Sequence, residues 1–179
     1  MNALLDFSLV IDAINRYLGR LANWMVLLAC VISAGNAMMR YAFDMSSNAW
    51  LEIQWYLFAG VVMLGASYTL QRNEHVRVDI LYTQLTDRGR LWLDIVGTLV
   101  FLIPSCLLIA WLSWPFFRES WAIQEISGNA GGLIRWPVKL LIPLGLVLLA
   151  LQGVSEIIKR VAALKGHMRF GVRYERPVQ

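Results

Sequence analysis

The residue types best suited to chemistry sit in one run, GASYTLQRNEHVRVD (65–79), where a long apolar segment breaks into charges around His75. A histidine among Arg72, Arg77 and Asp79 has the ingredients of proton transfer. The other histidine is His167, and both fall outside the apolar segments, so neither suits a haem held between membrane helices. Cys30 and Cys106 each fall near the middle of an apolar segment and form no C-x-x-C pair, which points to small buried hydrophobes and not to thiol exchange. Glu52, Asp94 and Glu156 lie near segment ends. An acid at a helix centre costs about 3 kcal/mol on insertion scales and much less near an interface. Their placement argues against a central proton- or cation-coupling carboxylate. No catalytic residue, metal ligand or cofactor is expected.

The elements that would position these groups are membrane helices. Hydrophobic residues make up 58% of the 179 and charged residues 16%, well below the share of a soluble domain. Four stretches reach the ~20 apolar residues that a spanning helix requires: about 21–39, 50–70, 91–117 and 138–158. The expected fold is an all-α integral membrane protein, one membrane domain over 1–179. It has four transmembrane helices together with amphipathic N-terminal and interfacial helices.

Every basic residue except Arg40, Arg118, Arg135 and Lys139 falls on the side of the two termini, which places both termini in the cytoplasm. That excess, beside anionic headgroups, accounts for the net charge of +4 without a nucleic-acid partner. Trp24 and Trp92 fall near the cytoplasmic ends, whereas Trp50, Trp55, Trp111, Trp114, Trp121 and Trp136 crowd the opposite interface as anchors. The first apolar run follows some twenty residues that include acids, a poor match to a cleaved secretory signal.

Leu4, Phe7, Ile11, Ile14, Leu18 and Leu21 recur at steps of three and four, with Asp12, Arg16 and Arg20 elsewhere on the circumference. They predict an amphipathic helix running into the first span and lying on the bilayer surface. Ala29, Ser33 and Ala37 strip one face of the first span of bulk, and Gly60 and Gly65 do so more loosely in the second, which favours helix packing within the chain. Val78, Leu81 and Leu85 continue the charged run at helical spacing, as a short interfacial arm would. The 65–79 cluster therefore reads as a membrane exit and an anchoring arm, with His75, Arg77 and Asp79 fixing it to headgroups or to neighbouring chains. Glu52 has two readings: an interfacial carboxylate favoured by the helix dipole, or a polar contact with another subunit or the outer loops.

The stretch WLEIQWYLFAGVVMLGASYTLQRNEHVRVDIL resembles the most recognisable segment of the DctQ-type small membrane subunit of tripartite ATP-independent periplasmic (TRAP) transporters. In that family an acid opens the second helix, a Gly with small residues and an aromatic follows, and a basic residue precedes a His and an Asp. Glu52, Gly65, Tyr68, Arg72, His75 and Asp79 occupy those places. Length, four spans, RYAF after the first span and IPLGLVLLALQG in the fourth extend the likeness over most of the chain.

The resemblance implies a non-enzymatic scaffold in a bacterial inner membrane. Its partners would be a large TRAP membrane subunit carrying the substrate and sodium sites, and a periplasmic solute-binding protein that delivers a solute, commonly an organic acid. With Arg77 and the lipid bilayer added, the matched positions are the candidates for subunit or membrane-interface contacts. The outer loop with Glu119, Glu125 and Arg135 reads as solvated, with the binding protein as its other possible contact. A stand-alone four-helix carrier is the alternative, and would normally want a central charge. A membrane redox enzyme is a third class, and would need haem ligands or paired thiols.

Overall fold

A computed structural model describes residues 2–45, 47–74 and 84–166. Helix α1 covers Asn2–Phe43, α2 Asn48–Gln71, α3 Asp87–Gly97, α4 Ile103–Ala122 and α5 Trp136–Leu164. α3 and α4 are one continuous rod over Asp87–Ala122, joined by a π-helical turn at Thr98–Leu102. The described chain holds four helices long and apolar enough to cross a membrane. The fold is all-α and multi-pass.

Two neighbouring features explain the π turn. Pro104 offers no N–H to the turn before it, and the N–H of Ile103 reaches back five residues to the carbonyl of Thr98. The turn also lies directly against Gly153 of α5: a Cβ added there would stand 2.9 Å from Leu102 and 3.1 Å from Thr98. The widened turn thus fills the space that a missing side chain leaves.

Helix α5 packs against every other helix and is the hub of the bundle. α1 runs unbroken for 42 residues, about 63 Å at 1.5 Å per residue. Its first half is helical, as the periodicity predicts. It continues the axis of the first span and packs on α5, however, where a surface helix had been expected.

The face of α1 turned to the bundle is mostly polar or small, and most of the apolar stripe faces outward, as it would on a surface helix. Ser8, Ile11, Asp12, Asn15, Gly19 and Ala22 are buried, whereas Leu4, Phe7, Ile14 and Leu21 are exposed. Lipid is as apolar as leucine, so a membrane helix gains little by turning apolar side chains inward. Small and hydrogen-bonding residues bring helices together instead. The Ala29–Ser33–Ala37 stripe is likewise not the packing face, since Ser33 and Ala37 are exposed. Cys106 is buried, while Cys30 faces outward from the bundle.

Candidate functional site

Polar chemistry gathers at the two ends of the bundle. At the terminal end, where α1 begins and α5 finishes, a hydrogen-bonded chain ties all four spans. Ser67 of α2 donates to Oδ1 of Asn15 at 2.8 Å, and Nδ2 of Asn15 donates to Oε1 of Gln152 at 2.6 Å. Gln152 donates to Oδ1 of Asp12 and Oε1 of Glu156, both at 3.0 Å. The ammonium of Lys159 lies 3.1 Å from Oδ2 of Asp12 and also meets Glu156. Arg160 binds Glu156 through one nitrogen, Asp94 of α3 through Nε at 3.0 Å, and Asn73 beyond α2 at 3.1 Å. Ser155 adds a bond to Asp12 at 3.1 Å and shares a hydrogen with Ser8 across 2.6 Å.

This network is internal. Asn15 and Gln152 are wholly buried, Glu156 is 1% exposed and Arg160 3%. A buried charge left without partners would cost several kcal/mol, so each carboxylate here meets a cation or several N–H and O–H donors. Helical geometry assembles the set: Gln152, Ser155, Glu156, Lys159 and Arg160 fall at steps of three and four on one face of α5, and Ser8, Asp12 and Asn15 do so on α1.

At the opposite end, α2 clasps the segment between α4 and α5. Residues 123–135 fold into a hairpin: the N–H of Ser127 donates to the carbonyl of Leu133 at 2.9 Å, and that of Arg135 to the carbonyl of Glu125 at 2.8 Å. Gly131, at φ +71°, turns the chain where a side chain would be strained. Into this hairpin points Glu52, 3% exposed. Its carboxylate accepts from the hydroxyl of Ser127, from Nδ2 of Asn129 at 2.8 Å and from the N–H of Leu133 at 2.7 Å. Asn48 and Tyr56, one turn before and after, bond the carbonyls of Ala130 and Ile134 at 3.2 and 3.1 Å. Asn48, Glu52 and Tyr56 form a single stripe.

Beside the clasp, Glu125 pairs with Lys139, whose ammonium also stands 3.8 Å above the Phe116 ring, and with Arg135 at 3.8 Å. The hydrogen bond from Lys139, then the Ser120 hydroxyl and, more weakly, the charges of Lys139 and Arg135, hold the Glu125 carboxyl below its ordinary 4.5. An aromatic pair, Trp121 edge-on to Trp136 at 4.3 Å, braces the helix ends next to it.

The residues singled out from sequence do not converge on one place. Glu52 belongs to the loop clasp. Gly65 faces α1, where a Cβ added to it would stand 3.8 Å from the side chain of Ala22. The ring of Tyr68 covers Gly19, where a Cβ would come within 2.5 Å of it. Arg72 is exposed at the far end of α2 and pairs with Glu74 at 3.7 Å. His75, Arg77 and Asp79, with most of the interfacial arm, lie outside the described residues. Ser8, Asp12, Asn15, Ser67, Ser155, Lys159 and Arg160 of the terminal network are not singled out as a site by the sequence. Its polar residues were read one at a time, as the outer face of a surface helix and as a basic tail.

Among the described residues no group of three or more His, Cys, Asp or Glu is arranged to hold a metal ion. What both clusters do is join helices and loops.

Comparisons with known proteins agree with this architecture. Over 122 residues the chain is 31% identical to a protein of Haemophilus influenzae that carries the name TRAP transporter small permease protein, covering 67% of this chain and 74% of that one. Over 92 residues it is 33% identical to the C4-dicarboxylate TRAP transporter small permease protein DctQ of Vibrio cholerae, covering half of this chain and 40% of that one. No solved structure matches. Residues 29–163 match the family described as tripartite ATP-independent periplasmic transporters, DctQ component. That span covers well over half of the chain, from the last third of α1 nearly to the end of α5, so the chain belongs to the DctQ family and is a small permease subunit of a TRAP transporter, not an enzyme.

Proposed function

We propose that this chain is the fixed scaffold of a three-part importer in a bacterial inner membrane, with both termini cytoplasmic. It supports a large membrane subunit that takes up a solute, an organic acid, with sodium. A periplasmic binding protein delivers that solute. The family membership carries the reading.

One observation about geometry supports the scaffold role. The described charges of the bundle interior gather at its two ends, and there they cross-link helices: Asp12 with Lys159 joins α1 to α5, and Asp94 with Arg160 joins α3 to α5. A transport site would hold polar groups ready for a passing ion near the membrane midplane. These groups are committed to one another.

The test is to tag the chain in its host, solubilise the membranes mildly and identify what co-purifies. A much larger polytopic protein in near-equal amount is the expected result. In parallel, liposomes containing this chain alone should show no sodium-dependent uptake of C4-dicarboxylates or other organic acids. Uptake by the chain alone would instead make it a stand-alone carrier.

A further inference from the structure

The hairpin at residues 123–135 has two faces. Glu125, Ser127 and the N–H of Leu133 turn toward α2 and α5, where Lys139 and Glu52 hold them. Ile126 and Ile134 stand directly opposite each other on its two arms and point the other way: Ile126 is 63% exposed and Ile134 45%. Single apolar side chains are ordinary on a surface, but a cross-strand pair opposite an all-polar face gives the hairpin an apolar side.

What that side meets follows from its depth. The hairpin is bonded to Asn48, Glu52 and Tyr56, so it lies alongside the first ~12 Å of α2 at 1.5 Å per residue. A hydrocarbon core of ~30 Å takes about 20 helical residues. Counted back from Arg72, the exposed charge just beyond the far end of α2, that length reaches Glu52. Helix α1 gives a second measure. Its uncharged stretch lies between Arg20 and Arg40, and Gly19 packs on Tyr68, one turn before Arg72. Starting from the level of Arg20 carries the boundary one turn further, to Asn48. Tilt of the helices would shorten their rise and move it the same way. The clasped hairpin therefore sits at the boundary between headgroups and acyl chains, not above it.

Its backbone is fitted to that place. The N–H groups of Glu125, Ser127, Gly132 and Arg135 end on carbonyls of the chain itself, and that of Leu133 on Glu52. Irregular backbone at membrane depth persists only where the protein satisfies it. The charges at the base, Glu125, Arg135 and Lys139, are paired with one another. Trp121, half exposed beside them, is of the type that prefers this interface.

We infer that the hairpin is seated in the bilayer, with the Ile126–Ile134 face against the acyl chains of the leaflet at the loop end. The segment that its charges mark as a solvated loop is on this account a membrane contact, and the Glu52 clasp is what lets an irregular segment lie there. Neither the scaffold reading nor the orientation of the termini enters the argument.

Nitroxide labels on single cysteines test it, in the full chain within its native membrane and with Cys30 and Cys106 changed to alanine. Ile126→Cys and Ile134→Cys are compared with Leu108→Cys, on the exposed apolar side of α4, and with Gly128→Cys, at the exposed hairpin tip. Positions 126 and 134 should match 108: open to dissolved oxygen and shielded from a water-soluble nickel chelate. Before labelling, their thiols should react with a membrane-impermeant maleimide roughly tenfold more slowly than that at 128, because thiolate forms poorly in apolar surroundings. Access of the nickel chelate at 126 and 134 equal to that at 128 would put the hairpin in water and overturn the inference. Shielding from both oxygen and nickel would overturn it equally, since a protein surface and not lipid would then cover the face.

Discussion

Both ends of the bundle hold a buried carboxylate, but by opposite means. At the terminal end Asp12 and Glu156 meet the cations of Lys159 and Arg160. At the loop end Glu52 meets a hydroxyl, an amide and a backbone N–H, with no cation among the described residues in contact. An ion pair joins two side chains and takes the charge of both out of solvent, so losing one partner strands the other. A carboxylate served by neutral donors instead organises the backbone that carries them. The first arrangement ties helix to helix, and the second shapes a loop.

The comparison is broken most severely by Lys159→Met, which leaves two buried acids short of a cation. A loss of about 3–5 kcal/mol in bundle stability is expected, measured by unfolding in mixed micelles. Adding Asp12→Leu should recover part of it, and no recovery would show that the pair is not coupled. Glu52→Gln should act locally instead. Limited proteolysis between Ile123 and Arg135 is expected to quicken roughly tenfold while the bundle unfolds at nearly the same point. An equal fall in global stability would erase the distinction between the two ends.

Ser67→Ala removes one neutral donor from the terminal chain, and a loss of about 1 kcal/mol is expected by the same unfolding assay. The smallest effect is that of pH on Glu125. Its carboxyl titrates below 4.5 when folded, so the stability it contributes is full above 4.5 and fades only as pH falls through the lower, folded value. Protease resistance of the hairpin should accordingly stay level from pH 7 to about 4.5 and decline below it. A decline already complete by pH 5.5 would exclude Glu125 as the cause.

The spans were legible because hydropathy over some twenty residues is a strong signal, and their number and order match the helices observed. Glu52 is legible as an acid just inside the start of the second span, with two readings open between which Ser127, Asn129 and Leu133 around it decide. The terminal network was harder to read for a physical reason. The apolar stripe of Leu4, Phe7 and Ile14 meets lipid whether the start of α1 lies on the bilayer surface or packs on α5, so it does not tell the two arrangements apart. The complementary stripe of Ser8, Asp12, Asn15 and Gly19 carried the information, and so did the matching run from Gln152 to Arg160. Lys159 and Arg160 satisfy the positive-inside pattern and a buried ion-pair network at once, and charge counting detects only the first.

The partnership between α1 and α5 also has a consequence for the order in which the chain is made. Asp12 leaves the ribosome 147 residues ahead of Lys159, a delay of roughly 7–30 s at ordinary synthesis rates. During that interval the polar face of α1 has no α5 to bind and must be kept near water or be shielded by the insertion machinery. Chains stopped just before Trp136 should therefore leave Asp12 open to solvent-borne labels when replaced by cysteine, and full-length chains should protect it. Of the described helices, the last to be synthesised is the one that completes the placement of the first.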